Sequence, residues 1–550
     1  MILQNKIQKA ISCARLNLMR AKLQNASPRN KWQFIKKCTN SINQSPRQLS
    51  SQEAEVINDK FCGVFKQEDV QLFDFTNLPC EVDTTYPRLE AYEISLLLDN
   101  IKSFATGPDG LPGLLLKNCS VFFAEPLAIL FNLSLSSRKL PLLWKKAHIV
   151  PIPKGKDEYR PISLLCQPMK VLEKLVLSKW LMPSLNRAFS NNQFAFIPNV
   201  KYTGCCSALR QARIWTLKAI NDGASYVNWV AVDLKKAFDA ISHKIILETL
   251  SNHFRVQNGV LLWLADYLTS RQQGVIIDHH STSRYLPCSS GVPQGSILGP
   301  VLFATILDPC QVSSENVKLI AYADDCTLLN RVFPGDVDTF QCILDLFIQS
   351  TNMQGLDINP SKCQCICFPG KRHLFVPPPN LSLSLSPLPA VSSIKILGVW
   401  FCSSLKWSIH LSYIYKKCAK ASFFIKLLYL WGLRGTALWN VCMALVFSHL
   451  AYCWPVFCDA SIADMKPFLS LEKRLLKLCS LSRVEPLRTR LDMQCIKLAK
   501  RISNCPGHPL EECFRKNPSV STMCLRKPRK FLPLTASSNI LYKSFTRFAC

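Results

Sequence analysis

The sequence of 550 residues is strongly basic and has the apolar content of a folded protein. Apolar residues make up 48% of it and charged residues 19%, which excludes an intrinsically disordered chain, and the length allows roughly two to four domains. Lysine and arginine number 66 against 37 aspartates and glutamates, so a polyanionic partner is expected. The 26 cysteines are too few for a disulfide scaffold, and residues 1–20 lack the apolar stretch of a secretory signal. We therefore predict an intracellular protein, nuclear and cytoplasmic and not secreted, with mostly reduced thiols.

The positive charge is concentrated at the two ends of the chain. Residues 1–50 contain ten Lys or Arg and no acidic residue, and residues 460–550 contain eighteen against six. The ends thus carry 22 of the 29 net charges. This pattern favours a nearly neutral catalytic body with basic flanks that grip nucleic acid, although solvated basic faces explain any single lysine equally well.

Hydrophobic periodicity and turn residues predict alternating helices and strands. Helices are predicted over 7–21, 90–104, 120–138, 168–188 and 245–250, and for most of the chain from 405 onward. Strands are predicted over 147–154 and 227–234, a hairpin over 319–329, a linker near 41–51 and a turn at 107–110.

One uncharged stretch, residues 435–458, is long enough to span a bilayer. It contains Asn440, His449 and Pro455, and a buried helical segment of a large domain explains it as well. We therefore expect no membrane contact.

Two apolar strands run directly into acidic residues. Asp233 follows one strand, and Asp324 and Asp325 follow the other. Carboxylates at the end of a buried strand are unfavourable unless they are solvated or bind cations, and hard divalent ions prefer such oxygens. Three carboxylates on neighbouring strands can hold two Mg²⁺ about 3.5–4 Å apart, as phosphoryl transfer requires. Taken alone, the YADD motif also allows the less favoured alternative of an exposed turn that carries incidental acids.

The motifs around these acids form an ordered series. They are GPDGLPG at 107–113, AHIVPIPKGKDEYRPISLL at 147–165, NQFAFIPN at 192–199, VDLKKAFDAISH at 232–243, SSGVPQGSILGPVLF at 289–303, AYADD at 321–325, NPSKC at 359–363 and LGVWF at 397–401. The series resembles the reverse transcriptase of non-LTR (LINE-type) retrotransposons, most closely the jockey-like branch. The resemblance implies an α+β right-hand polymerase fold with fingers, a palm with an antiparallel sheet and a helical thumb, plus basic helical ends.

The resemblance also implies the division of the chain. We expect a basic helical connector over 1–90, fingers and palm over 91–402 with a core at 134–402, and a helical thumb with a basic C-terminal region over 403–550. No endonuclease motif precedes the connector in this sequence, so it resembles the product of an element that lacks its N-terminal endonuclease.

The family's metal ligands fall on Asp233, Asp324 and Asp325, with the carbonyl of Leu234 as an additional ligand. Mg²⁺ is the expected ion, as a pair, and Mn²⁺ is its expected substitute. One ion would activate the primer 3′-hydroxyl, and the other would hold the triphosphate and neutralise the leaving pyrophosphate.

The family's nucleotide contacts fall on six further residues. Lys154 and Arg160 lie in the segment that resembles the phosphate-clamping fingers hairpin, with Lys156 as an alternative to Lys154, and ordinary surface charges as the alternative for the hairpin. Phe238 corresponds to the bulky residue that excludes a 2′-hydroxyl, or else is an ordinary core residue.

In the PQG motif, Gln294 and Gly295 are expected near the incoming nucleotide and template, unless the motif is only a Gly-Pro turn. Lys362 is a candidate proton donor to pyrophosphate, or else a helix-end lysine.

The resulting prediction is an RNA-directed DNA polymerase that uses an RNA template, a DNA primer or target DNA, and deoxynucleoside triphosphates. Two rivals are a catalytically inactive nucleic-acid-binding remnant and a mobile-intron maturase. The retained aspartates argue against an inactive remnant, and the GPDG and RPISLL motifs argue against a maturase. The oligomeric state stays open.

Two cysteine clusters could bind zinc. Cys495, Cys505, His508 and Cys513 have a spacing that is too long at its first interval for a zinc knuckle, and Cys363, Cys365 and Cys367 alternate as on one face of a strand. Small buried thiols are the expected outcome at both places.

Overall fold

The computed structural model describes residues 49–65 and 88–504, with gaps at 103–104, 156–157, 198–203, 279–280, 313, 371–379, 384–385 and 483, and also the helical positions 14, 17 and 21. Most of the helix predicted over 7–21 and of the linker near 41–51 lies outside the described residues. So do Lys156, Cys505, His508 and Cys513.

Helices and strands alternate through the described part of the chain. Its helices are α1 (Ser51–Cys62), α2 (Ala91–Asp99), α3 (Gly113–Asn118), α4 (Ser120–Ser137), α5 (Gln167–Val176), α6 (Met182–Ala188), α7 (Cys205–Asn221), α8 (His243–Asn252), α9 (Asn258–Leu268), α10 (Leu298–Leu307), α11 (Phe340–Met353), α12 (Ser408–Leu430), α13 (Gly435–Cys442), α14 (Ser448–Ala451), α15 (Trp454–Phe457), α16 (Ile462–Cys479) and α17 (Leu487–Ser503). Its strands are β1 (Lys146–Pro153), β2 (Tyr159–Leu164), β3 (Tyr226–Val232), β4 (Arg271–Val275), β5 (Leu286–Cys288), β6 (Val317–Tyr322), β7 (Asp325–Val332), β8 (Gln364–Pro369), β9 (Ser382–Leu383), β10 (Ser386–Pro387), β11 (Ser393–Ile396) and β12 (Val399–Cys402). The predicted helices from 90 to 250, both predicted strands and the predicted hairpin are confirmed, and the first of those helices ends early, at Asp99.

The first sheet has the strand order β2-β1-β4-β5, and it is built on the β1–β2 hairpin. β1 also pairs in parallel with β4, which comes more than a hundred residues later in the chain. Helix α1 packs on this sheet, where Asn58 donates to the carbonyl oxygen of Arg284 at 2.9 Å and Arg284 forms an ion pair with Asp59 at 2.7 Å. A capping box between Ser50 and Glu53 begins the helix. Helix α1 is thus attached to the first sheet.

The second sheet is antiparallel, with the order β6-β7-β3-β8, and it separates two hydrophobic cores. Side chains alternate across a strand, so Val230 and Val232 of β3 face one core while Val227 and Trp229 face the other. The first core includes α8, α9 and α10, and the second includes α7 and the helices after residue 405. This sheet corresponds to the predicted palm.

The helical region after residue 405 joins the palm through a buried ion pair. Arg213 of α7 lies 2.6 Å from Asp459, and both side chains are less than a tenth exposed. Arg213 also donates to the carbonyl oxygen of Val456, and Trp407 donates to the second carboxylate oxygen of Asp459 at 3.0 Å. Because each charge has hydrogen-bonding partners, removing one partner would leave an uncompensated buried charge.

The uncharged stretch 435–458 forms α13 to α15 with an intervening π-helical turn at Met443–Phe447. Trp454 and Phe457 are fully buried in the second core, which agrees with a buried helical segment. Among the described helices, α4 has the length and composition to cross a bilayer, but 39% of it is buried inside the protein. The α+β fold with fingers, palm and thumb is confirmed, while the domain boundaries stay a prediction.

Candidate active site

The β6–β7 hairpin places two aspartates at its tip. Tyr322 pairs with Asp325, so Ala323 and Asp324 form a two-residue turn. Ala323 has a φ of 57°, a conformation that costs a non-glycine residue energy unless its surroundings hold it. The buried side chain of Gln193 does so, because its Oε1 accepts from the Ala323 amide at 3.2 Å. Sequence analysis did not single out Gln193, although it lies within the NQFAFIPN motif.

Asp233 reaches the same place from β3. Val232 pairs with Cys326 in the antiparallel ladder, so the next residues along, Asp233 and Asp325, are neighbours across the two strands. The register therefore places Asp233 beside the tip of the hairpin that carries Asp324 and Asp325, about ninety residues later in the sequence.

The NPSKC segment is attached directly to Asp233. The Asn359 amide donates to the Asp233 carbonyl oxygen at 2.8 Å, and its side-chain Nδ2 lies 3.4 Å from Oδ2 of Asp233. Lys362 Nζ lies 3.9 Å from the same carboxylate oxygen, with both side chains partly exposed. The Asp233 amide in turn donates to the buried thiol of Cys363 at 3.4 Å. Asn359 and Cys363 are contacts that no local sequence signal predicted.

The three carboxylates repel one another. Burial raises the pKa of Asp325 to about 6, and the charges of Asp324 and Asp233 add to the rise. The Asp325 residue is nevertheless exposed at the hairpin tip, so water screens part of this repulsion.

No group of three His, Cys, Asp or Glu side chains within the described residues is close enough to hold one metal ion. Asp233, Asp324 and Asp325, the predicted metal ligands, therefore do not form a closed set of ligands in this structure. The donor chemistry fits divalent ions all the same, since the three groups supply hard oxygens whose repulsion a cation relieves. The metal-ligand roles, including that of the Leu234 carbonyl, stay predictions.

One cleft of about 1170 Å³ contains nearly all of the predicted site residues. Its lining includes Lys154, Arg160, Asp233, Leu234, Phe238, Gln294, Gly295, Asp324 and Lys362. These residues come from the first sheet, the second sheet and the loops between them. Ile57, Lys60 and Phe61 of α1 line the cleft as well, a contribution that sequence analysis did not foresee.

The two fingers cations stand at the open end of the β1–β2 hairpin. Ile152 pairs with Arg160, and the Lys154 amide donates to the Glu158 carbonyl oxygen at 2.8 Å to close the hairpin. Lys154 and Arg160 are exposed, and both belong to the cleft lining. The hairpin therefore presents two cations to the cleft that holds the acids.

Phe238 is half-buried, and its ring forms part of the cleft wall. It stacks on the fully buried Phe303 with ring centroids 4.5 Å apart, and Phe196 meets it edge-on at 6.3 Å. The ring is thus supported from behind while another part of it faces the cleft. The position of Phe238 is therefore compatible with both predictions made from the sequence, a residue that excludes the 2′-hydroxyl and an ordinary core residue.

The PQG loop, residues 290–297, is clamped between the two sheets. The Val292 amide donates to the Phe238 carbonyl oxygen at 2.9 Å, and the Ser163 amide of β2 donates to the Gln294 carbonyl oxygen at 2.8 Å. Gly295 has a φ of 136°, and a Cβ there would stand 2.4 Å from the Ser163 carbonyl oxygen. A glycine is therefore required at this position, while the role of the loop in nucleotide binding stays a prediction.

A buried acid and a half-buried acid hold this loop. Glu173 of α5 is fully buried and accepts from the amides of Ile297 and Leu298, at the start of α10. Asp239 accepts from Nε2 of Gln294 at 2.8 Å. Burial raises the pKa of both carboxyls, and the hydrogen bonds that they accept oppose the rise.

Comparison with known proteins identifies a domain in the middle of the chain. Residues 152–401 match the family model described as reverse transcriptase (RNA-dependent DNA polymerase). The chain carries a reverse transcriptase domain. The domain contains every predicted catalytic, metal and nucleotide residue.

Curated relatives extend the match beyond the domain model. The chain is 29% identical over 304 residues to the RNA-directed DNA polymerase from mobile element jockey of Drosophila melanogaster, covering 52% of this chain and 32% of that protein. It is 28% identical over 305 residues to the probable RNA-directed DNA polymerase from transposon X-element, with the same coverage, and 28% identical over 359 residues to that from transposon BS, covering 60% and 38%, both from the same fly. The chain is thus homologous to non-LTR retrotransposon polymerases, and it spans about a third of the length of these relatives.

Among solved structures, an apo telomerase from Candida tropicalis aligns with a TM-score of 0.34 and 14% identity, covering 48% of this chain and 54% of that one. This score is too low to assign a fold. Reverse transcriptases depend on divalent metal ions in general, and the matching domain implies the same general dependence.

The cysteine clusters show no described zinc site. Cys495 is buried in α17, and Cys363 and Cys365 are buried at the edge of the palm. Burial raises the pKa of Cys365 to about 12, which disfavours a metal-binding thiolate. The expectation of buried thiols is confirmed for Cys363, Cys365 and Cys495, while Cys367 is only partly buried.

Proposed function

We propose that the chain is an RNA-directed DNA polymerase that extends a DNA 3′ end on an RNA template by nucleotidyl transfer. One observation carries this proposal: residues of five separate motifs, from Lys154 to Lys362, line a single cleft. The acids of that cleft suit divalent metal ions, and its cations suit the negatively charged triphosphate.

Each side chain then has a role that follows from its position. Asp233, Asp324 and Asp325 would hold Mg²⁺ ions, which when bound supply activation of the primer 3′-hydroxyl and charge neutralisation at the leaving pyrophosphate. Lys154 contributes a point charge and Arg160 a planar fork for the triphosphate oxygens. These two cations orient the nucleotide and neutralise the negative charge of its triphosphate.

The remaining side chains select the nucleotide and assist the release of pyrophosphate. Phe238 occupies the volume that a 2′-hydroxyl would need, and Gln294 contacts the nucleotide from the loop that joins the sheets. Lys362, 3.9 Å from Asp233, stands at the edge of the acidic site and donates a proton toward pyrophosphate.

The proposed partners are an RNA template, a DNA primer or target DNA and deoxynucleoside triphosphates. The basic ends of the chain support this choice, since polyanions are held largely through phosphate contacts. We also propose an intracellular, nuclear and cytoplasmic location, as the cysteine content of the sequence led us to expect.

Primer extension on poly(rA)/oligo(dT) with Mg²⁺ tests the function, with Asp324→Asn beside the wild type. Asparagine keeps the size of the side chain but removes the charge that binds cations, so we expect loss of at least about 100-fold in rate with folding and template binding retained. Asp345→Asn, an exposed change on α11 outside the cleft, is the matched control and should extend primers normally.

Two results would contradict the proposal. A wild type that binds primer–template but incorporates no nucleotide with Mg²⁺ or Mn²⁺ would identify an inactive binding remnant. An Asp324→Asn variant with near wild-type rates would place the metal site elsewhere.

A further inference from the structure

The backbone of the PQG loop has little freedom beside the turn that follows β3. Ser290 Oγ donates to the Asp239 carbonyl oxygen at 2.9 Å, and the Gly291 amide donates to the Ile241 carbonyl oxygen at 2.7 Å. A Cβ on Gly291 would stand 2.7 Å from the carbonyl oxygens of Phe238 and Asp239. The two segments therefore move as one unit, and the Gln294 side chain extends from a fixed base.

The direction of the Gln294 amide is set by Asp239. Nε2 of Gln294 lies 2.8 Å from Oδ1 of Asp239, and both residues line the cleft beside Phe238. An ionised carboxylate can only accept hydrogen bonds, so it binds the NH₂ group and not the carbonyl oxygen of the amide. Oε1 of Gln294 is then left facing away from Asp239 as an acceptor.

We propose that Asp239 is a positioning residue for nucleotide binding, which acts by holding Gln294 with its amide oxygen toward the cleft. The inference rests on the proposed function, because it names what orients one nucleotide contact of that site. In this arrangement Oε1 accepts from a donor group of the incoming deoxynucleotide.

Asp239→Asn tests this orientation with almost no change in size. A carboxamide both donates and accepts, so it pairs with either face of the Gln294 amide and no longer fixes its direction. We expect the KM for deoxynucleotides to rise roughly 3- to 10-fold, the size of one net hydrogen bond, with kcat within about twofold of wild type.

A double-mutant cycle shows whether Asp239 acts through Gln294. Gln294→Ala alone should raise KM by a similar factor, and adding Asp239→Asn to it should raise KM no further, because the orientation no longer matters. Additive effects of the two changes on KM would overturn the proposal, as would an Asp239→Asn variant with wild-type KM. Asp345→Asn again serves as the acid-to-amide control.

A second measurement separates positioning from mere stability and needs no turnover. Stabilisation of a chain-terminated primer–template complex by the next complementary nucleotide should weaken in Asp239→Asn, even at temperatures where urea titration shows the variant fully folded. A variant that loses stability in urea but keeps this nucleotide effect would overturn the inference and leave the polymerase function intact. A wild type with neither extension nor a nucleotide-stabilised complex would overturn both.

Discussion

Asp325 lies next to both of the other acids of the site. It begins β7 opposite Asp233, and Asp324 precedes it in the turn. Its pKa is raised from 3.8 to about 6. The folded protein therefore retains a proton at Asp325 that the unfolded chain loses first, so the contribution of Asp325 to stability falls as the pH rises from about 4 to about 6.

In the absence of divalent ions, Asp325→Asn should remove this pH-dependent loss of stability, because asparagine stays uncharged. We expect the Tm difference between variant and wild type in EDTA to be near zero at pH 4, to grow toward pH 6 and to stay constant above it. Thermal melts across this range measure it, with Asp345→Asn as the control. A Tm difference that does not depend on pH would show that the repulsion is negligible.

Phe238→Ala should change sugar selection more than it changes catalysis. Removing the ring opens the volume at the cleft wall, so the ratio of kcat/KM for deoxynucleotide over ribonucleotide should fall roughly tenfold or more. Truncating a fully buried Phe typically costs about 3–5 kcal/mol, and the half-buried Phe238 should cost less.

Phe303→Leu is the matched control for this prediction. Phe303 lies behind Phe238 and is fully buried, so its truncation should lower stability and leave the sugar ratio near wild type. A Phe238→Ala variant with an unchanged ratio and a lower Tm would assign this ring to the core alone.

Among the elements, the PQG loop links the two sheets. It receives a hydrogen bond from β2, lies against the turn after β3 and leads into α10. Its glycines are needed for two reasons: they adopt positive φ values, and they let neighbouring backbone segments approach closely. Any displacement of this loop moves Gln294 and the fingers hairpin together.

Gly295→Ala should therefore disrupt the cleft as well as strain the loop. The new Cβ would stand 2.4 Å from the Ser163 carbonyl oxygen, so either β2 or the loop must shift. We expect loss of stability and a higher nucleotide KM, measured by urea titration and steady-state primer extension. Gly335→Ala is the control, since Gly335 also has a positive φ, 89°, but has open space around it. Equal effects on KM from both variants would contradict a role for the contact.

For the whole molecule, the structure changes how the basic ends should be tested. Residues 460–504 include α16 and α17, whose Leu471, Leu475 and Ile502 are buried in the thumb core. Removing residues from 460 onward would thus unfold the thumb. A cut after residue 504 preserves both helices and still removes eight Lys or Arg against two acids.

Deleting residues 505–550 or residues 1–48, which carry ten basic residues and no acid, should weaken template binding and flatten its salt dependence. Fewer phosphate contacts release fewer counterions, so the slope of log K against log salt should become less steep in each truncation. Filter binding to an RNA template over a range of salt concentrations measures the slope. An unchanged slope in both truncations would mean that the charge of the ends is incidental.

Local patterns in the sequence were sufficient for the elements that carry the chemistry. The apolar run before Asp233 predicts β3, and the two apolar runs around Asp324 and Asp325 predict the hairpin, because burial and side-chain alternation act over a few residues. The motif order then predicted the family, and with it the residues that line the cleft.

Tertiary structure alone decided what holds those residues in place. Gln193 supports the Ala323 turn from 130 residues away, Asn359 holds Asp233 from 126 residues away, and Asp239 orients Gln294 across 55. Such hydrogen bonds depend on how separate segments pack, and no local periodicity encodes them. The uncharged stretch 435–458 is a second example. Its composition allowed a bilayer span, and only the tertiary structure showed that it packs against the apolar side chains of the second core.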